Sequence, residues 1–283
     1  MADYLLRDQA PLTAAQWMQL DQGVTQVAAR NLIGRRVIPL FGPFGPGIQV
    51  IAKDLYTGVA EGTVDLQGST DGGIVQATGR QFVPLPMIYK DFMLHWRDLE
   101  TATQLNLPLD ISPAAAAAAF CARAEDALIF NGGQVDHTVY QGLTNAENRH
   151  HITISDWSDG ENAFQDVVRA SELLNGDEFF GPYALVVNPI LYAGMNRLHG
   201  NSGVLVLEQV QKIATAGVYQ TPVLASDTAV LLSVGAENMD LAVAQDLITA
   251  FLETSQMNHY FRVFESLTLR IKRPGAICTI ARA

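Results

Sequence analysis

The chain has 283 residues, with 29 acidic against 18 basic side chains and a formal charge of −11. That balance argues against general nucleic-acid binding, and no run of about 18 uncharged apolar residues is present to span a membrane. Met1–Ala10 carries Asp3, Arg7 and Asp8 and lacks the apolar stretch of a secretory leader. With 48% apolar residues and a mean hydropathy of +0.12, there is material for a core and a surplus for contacts between copies. The two cysteines, Cys121 and Cys278, lie in an Ala-rich helical run and an apolar terminal strand; they read as small buried residues and not as a disulfide framework. A cytoplasmic protein is expected.

The first predicted element is a helix opened by Thr13, with Gln16 completing a capping box and Leu12 and Trp17 placed as a hydrophobic staple. Trp17, Leu20, Val24, Val27 and Ala28 follow helical spacing, and Gly34 marks the expected stop. The arm before Leu12 is too poor in apolar residues to form a core; it is either frayed or held by another part of the assembly. Gly42–Gly47, with two prolines among its glycines, excludes a regular element and removes donors that a phosphate cradle needs. From Ile51 to about Gln81 the chain is punctuated by glycine, with strand-like pieces at Gly62–Leu66 and Gly73–Ala77. This core-poor stretch reads as a two-stranded hairpin projecting from the body, which needs a neighbour to pack against.

After Phe82 a body-like pattern returns, alternating through Phe92, Leu94 and Trp96. Ser112 and Pro113 open a long helix through six alanines to a stop at Gly132-Gly133, and a second helix is expected from Gly160 to Leu174. Ala184–Val187 reads as a strand, Asn188-Pro189 as the start of a short helix ending near Leu198, and His199–Gly203 as a polar loop before a helix through Leu205, Leu207, Val210 and Ile213. Strands follow at Val223–Ala225, Ala229–Val234 and Met239–Ala244. A long alternating strand then runs from Phe261 to Ile271, its apolar register broken by Glu265. The fold class is therefore α+β, without an internal repeat.

Signatures of catalysis are absent at the level of motifs: there is no nucleophile elbow, no phosphate loop and no paired-histidine zinc motif. His137, His150 and His151 lack cysteine or carboxylate partners at ligand spacing and read as a surface loop. Glu125-Asp126 are adjacent on a helix and diverge by about 100°, so capping or ion pairing is the expected role, not a shared acid–base site.

Several short motifs recur in a particular order. They include Ala10–Thr13 with Gln16-Trp17 and Leu20-Asp21, Gly34-Arg35, Gly42–Gly45 and Pro84–Pro86. Phe92 with Leu94, Glu125-Asp126 before Ile129–Gly132, Gly181–Asn188 and Gln245-Asp246 complete the set. In that order, over nearly the whole chain, the sequence resembles the first, linocin-type family of encapsulins, bacterial nanocompartment shell proteins related to tailed-phage major capsid proteins. The resemblance implies a Hong Kong 97-type capsid fold. Its parts would be an N-terminal arm and helix opening the P-domain (1–50), an extended E-loop (51–81), the P-domain with its long helix (82–182), an A-domain (183–245) and a return to the P-domain (246–283).

It implies a self-assembling, non-enzymatic shell subunit in a cytoplasmic nanocompartment, about sixty copies (T=1) in preference to about 180 (T=3). The shell would enclose cargo such as a ferritin-like protein or a dye-decolorising peroxidase bearing a C-terminal targeting peptide. By the same resemblance the peptide docks in a groove at Trp17, Leu20 and Val24, where only the margin of the apolar stripe faces the groove, with Arg30, Arg35 and Arg36 adding polar contacts. His199, Gly200, Asn201, Ser202 and Gly203 match the loop of the fivefold pore, and His199 would give that ring a group titrating near neutral pH. Trp96 stands one position from a flavin-adjacent tryptophan of some relatives, and ordinary packing is preferred for it; no metal, specific nucleic acid or membrane partner is implied. A phage or prophage major capsid protein and a protease or bacteriocin-type hydrolase are the competing readings.

Overall fold

The computed structural model describes residues 4–56, 64–67, 77–198 and 203–282. Helix α1 (Ala14–Asn31) begins at the expected capping box: the Thr13 hydroxyl accepts from Gln16 N, and the Gln16 side chain accepts from Thr13 N. Gly34 does not stop this helix; α1 ends at Asn31 with Leu32 as its C-cap, and Gly34 starts a second short helix, α2 (Gly34–Val37). The glycine is there for close approach, because a Cβ would stand 2.6 Å from Ile129 Cδ1. The arm before Leu12 is held by its own chain. Arg7 forms a bidentate pair with Asp21 at 2.7 and 2.9 Å, and Phe251 N donates to Leu5 O.

Strand β1 (Leu40–Phe41) precedes the Gly/Pro turn, and β2 (Val50–Tyr56) pairs antiparallel with β3 (Ala77–Pro84). The hairpin thus exists, with its described strands at its root. Most of its interior, including the piece expected at Gly73–Ala77 up to Gln76, lies outside the described residues, and Val64–Leu66 is not strand. Strand β4 (Met87–Leu94) buries Ile88, Phe92 and Leu94 on one face. The expected alternation ends there: Trp96 opens α3 (Trp96–Leu105), a helix the sequence pattern does not announce, because its core contribution is limited to Leu99 and Ala102.

Helix α4 (Ser112–Asn131) lies where expected, but Ser112 is its first residue and not its cap: Ile111 stands at the N-cap and makes no side-chain hydrogen bond; a hairpin of β5 (Gly133–Val135) and β6 (Thr138–Tyr140) follows. Then come β7 (His150–Thr153), α5 (Gly160–Gly176), β8 (Tyr183–Val187), α6 (Pro189–Met195) and α7 (Val206–Ile213). His150 and His151 are therefore in a strand and not a loop, and His150 Nε2 lies 3.0 Å from Asp177. The strand expected at Val223–Ala225 is not formed; β9 (Gly217–Gln220) takes its place beside β8. The chain ends with β10 (Ala229–Ser233), β11 (Met239–Ser255), β12 (Asn258–Ile271) and β13 (Ile277–Ala281). Strand β11 runs well past the expected Ala244 because its apolar pattern resumes, out of register, beyond two bulges.

Two sheets carry the molecule. A four-stranded sheet has the order β1-β11-β12-β4, and α1 and α4 pack on one face of it. Phe261 is its centre, fully buried, with Trp17, Phe92 and Phe251 rings at 5.8, 5.3 and 5.4 Å. A five-stranded sheet has the order β7-β13-β10-β8-β9. It is buried on both faces. Leu185 and Val187 meet Val167, Leu174 and Val210 from the helices, while Ala184 and Val186 meet Ile129, Phe130 and Met239 toward the first sheet. Strands from 150–153 and 277–281 join this second sheet, so sheet membership does not follow linear boundaries in the chain. Among the described residues no helix is long and apolar enough to cross a membrane.

Candidate functional site

Three of the short motifs, far apart in sequence, meet at one point. Arg35 on α2 is the hub: its Nε and Nη2 donate to Glu125 of α4 at 2.8 Å each, Nη2 to Glu265 of β12 at 2.7 Å, and Nη1 to Asp246 at 2.6 Å. Asp246 reaches the hub because it stands in the irregular stretch of β11 between Gln245 and Ile248, where the bulged strand re-aims its side chains. Glu265, the residue that breaks the apolar pattern of β12, faces inward by the strand's ordinary alternation, on the same side as Phe261, Val263 and Leu267. Next door, both carboxylate oxygens of Asp126 accept from Ile33 N, and Oδ1 accepts from Gly34 N, so α4 caps the start of α2. The two neighbouring acids therefore divide the expected roles, Glu125 in ion pairing and Asp126 in capping.

Glu125 and Glu265 are fully buried, and Arg35 is 14% exposed. Glu265 Oε1 finds no hydrogen-bond partner among the described residues, and the carboxyl group of Glu125 stands close to that of Glu265. Burial, and then the charge of Glu125, push Glu265 well above the usual carboxylate range against the opposing pull of Arg35. Burial likewise raises Asp126 to about 6, opposed by its backbone hydrogen bonds. Neither buried glutamate reaches solvent, so the arrangement works as a structural clamp. Burial also pushes the thiols of Cys121 and Cys278 up to about 12, away from nucleophilic use.

The outer end of the clamp opens on a shallow pocket of about 300 Å³, with Ala28, Leu32 and Leu247 as floor and Thr25, Ala29 and Arg36 around it. Of the residues assigned to a groove from sequence, Arg35 and Arg36 border this pocket. Arg36 Nη2 donates to Ala29 O and Arg30 O at 3.2 Å, and Arg30 is exposed at the end of α1. Leu20 and Val24 require a correction. At 0% and 2% exposure they are core residues, because the most apolar stripe of α1 is the one that packs on α4 and the sheet. Trp17 is half-buried on Phe261 with the Arg7 guanidinium 4.5 Å from its ring. The pocket-facing margin of the helix is Thr25 and Ala29, small residues whose hydropathy gives no signal.

His199, Gly200, Asn201 and Ser202 lie outside the described residues; Gly203 is described, with a positive φ of 73°. Trp96 stacks on His95 at 6.2 Å with Arg97 5.4 Å from its ring. This half-exposed platform offers a planar face, built from residues adjacent in sequence. Among the described residues no cluster of His, Cys, Asp and Glu could hold a metal ion.

The architecture is that of a capsid subunit. It aligns with the virus-like particle of Pyrococcus furiosus at TM-score 0.76 and 21% identity, covering 93% of this chain and 98% of that one. It also aligns with the capsid of Myoviridae phage XM1 at TM-score 0.65 and 16% identity, covering 89% and 91%. The fold is the HK97-like capsid fold. Residues 2–268 match the Linocin_M18 family, described as "Encapsulating protein for peroxidase". The type 1 encapsulin shell protein EncA of Myxococcus xanthus is 45% identical over 283 residues, spanning 100% of this chain and 98% of that protein. A diheme-cytochrome–encapsulin shell fusion protein of Kuenenia stuttgartiensis is 38% identical over 264 residues, 93% of this chain and 72% of that one. The chain belongs to the linocin-type encapsulin family of self-assembling shell proteins.

Removing the hub should be severe. Arg35→Met leaves two buried glutamates without their cation and is expected to cost about 3–5 kcal/mol in urea unfolding; a loss below about 1 kcal/mol, the range of an exposed pair, contradicts the clamp. The raised carboxyl groups give a second test. Because Glu265 and Asp126 are raised in the folded state, their contribution is fully present below the unfolded carboxylate value of about 4.3 and is lost as pH rises through the folded values. Stability should therefore fall as pH rises from about 4 through about 6, where Asp126 ionises in the folded state, and further as pH climbs through the raised range of Glu265, by at most about 1.4 kcal/mol per unit for each group. Glu265→Gln, which keeps an acceptor for Arg35 but cannot ionise, should give a shallower slope; parallel thermal midpoint–pH curves for the two proteins contradict a raised Glu265.

Proposed function

We propose that copies of this chain close into a nanocompartment that encloses a protein bearing a C-terminal targeting peptide, docks that peptide beside α1, and admits small molecules at its symmetry axes. The observation that carries the reading is the β2–β3 hairpin. It is a separate two-stranded sheet, with no strand pairing to either larger sheet among the described residues, and it exposes Val50 at 48% and Phe82 at 69%. Isolated two-stranded ribbons are marginal in water, and this one leaves apolar side chains for another copy to cover. In capsid terms it corresponds to the E-loop, the α1–α4 layer with the four-stranded sheet to the P-domain, and the five-stranded sheet to the A-domain. The chain itself would supply no catalysis, leaving chemistry to the enclosed protein. A ferritin-like protein or a peroxidase suits the family, and His199–Gly203 would line the fivefold passage.

The docking site fits the pocket beside Arg36, whose apolar floor suits a small aliphatic side chain and whose rim carries a cation and the paired Asp246. The groove is thus shifted from Leu20 and Val24 to Thr25, Ala29 and Leu247. Ala29→Asp and Arg36→Glu together place acids at exposed positions and should reduce the enclosed protein recovered per shell by about tenfold or more, with particle diameter unchanged. Undiminished co-purification of the enclosed protein contradicts this location.

A further inference from the structure

The hairpin leaves the body over a crevice, so packing on that side does not set its direction. About 590 Å³ separates Lys53, Gln81 and Val83 of the hairpin from Tyr140, Leu269 and Ile271 of the body. At the root a side chain of the body reaches across to the hairpin. Arg270 of β12 makes a two-pronged pair with Asp240 directly opposite on β11, Nε and Nη2 donating at 2.7 Å each. Its remaining nitrogen, Nη1, donates to Ala52 O of β2 at 2.8 Å. The guanidinium plane is held from another side by the Phe41 ring, 4.2 Å away, and Lys272 adds a second cation to Asp240 at 2.7 Å. Asp54, paired with Arg80 across the hairpin, also feels the Arg270 charge. The side chains of Arg270 and Asp240 are 9% and 4% exposed, so this is a desolvated, geometrically fixed fork.

We propose that Arg270 is a positioning residue that fixes the angle between the β2–β3 hairpin and the body, and through that angle the curvature with which neighbouring copies join. The proposal rests on the shell reading above. A rigid guanidinium can hold Asp240 with two nitrogens and Ala52 O with the third at the same time. A lysine in its place can keep an ion pair with Asp240 but cannot hold both. Without the tie the hairpin can swing over the open crevice, and its exposed apolar face meets a neighbour at varied angles.

The test compares wild type with Arg270→Lys in two measurements: particle diameters by electron microscopy, and amide hydrogen exchange of the assembled material. Wild type should give one dominant diameter. Arg270→Lys should give several size classes or unclosed fragments, with exchange in 52–54 and 81–83 faster by about tenfold, as expected for losing one charged hydrogen bond, and exchange in β11 and β12 unchanged. A single wild-type diameter with wild-type exchange overturns the proposal. Phe41→Ala, at a side chain that is 42% exposed, carries the test should the lysine variant not fold: it keeps the ion pair but frees the guanidinium plane, and should broaden diameters and speed hairpin exchange in the same direction, with no change counting against the proposal. If wild type forms no shell, the shell reading fails, and hairpin exchange alone still decides whether Arg270 holds the angle.

Discussion

One guanidinium facing three carboxylates is the constraint on which the body depends. Arg35, Glu125, Asp246 and Glu265 come from α2, α4, a bulged stretch of β11 and β12, and each must be in place for the others to be tolerated. A buried carboxylate without its cation costs several kcal/mol. The clamp therefore stabilises little on its own account and instead penalises wrong arrangements of the four segments. Asp126 adds the cap that starts α2 at the point where the arginine must be presented. The pocket beside α1 inherits its shape from this arrangement, since Arg35 and Asp246 form part of its wall.

A second fork, at Arg270, does for the hairpin what Arg35 does for the body. The first holds elements already packed together; the second holds an element with a crevice beneath it. Around the hairpin root the chain exposes Leu40, Phe41, Phe44, Ile48 and Val50, an unusual concentration of apolar side chains for so acidic a protein. A subunit that is complete in its core and incomplete at this collar suits a family of self-assembling shells. The 45% identity to a shell protein along its full length agrees with it.

Much of this was legible from sequence where the controlling interaction is local. The capping box at Thr13, the glycine end of α4 and the asparagine–proline start of α6 are each decided within a few residues, and each is found where expected, while α4 starts at Ser112 itself, the residue expected to cap it. The interruption of β12 by Glu265 was visible as well. Its reason was not, because the cation that satisfies it lies 230 residues away. The same distance hid the site. Gly34-Arg35, Glu125-Asp126 and Gln245-Asp246 could be recognised singly, while their meeting is a property of the fold. The stripe at Leu20 and Val24 misled for a related reason: strong apolar periodicity marks what the subunit buries in itself, and a docking margin of Thr25 and Ala29 leaves no periodic signal. Helix α3 and strand β9 were missed because each contributes few apolar residues and takes its place from the neighbours it packs on.

The most direct measurement is the mass of the purified native particle in solution. A closed shell of about sixty copies of this 30.7 kDa chain has a protein mass of about 1.8 MDa before any enclosed protein is added. A discrete particle of at least that mass, hollow or filled by electron microscopy, is the result the account predicts. A monomer or small oligomer at physiological concentration and neutral pH would contradict it.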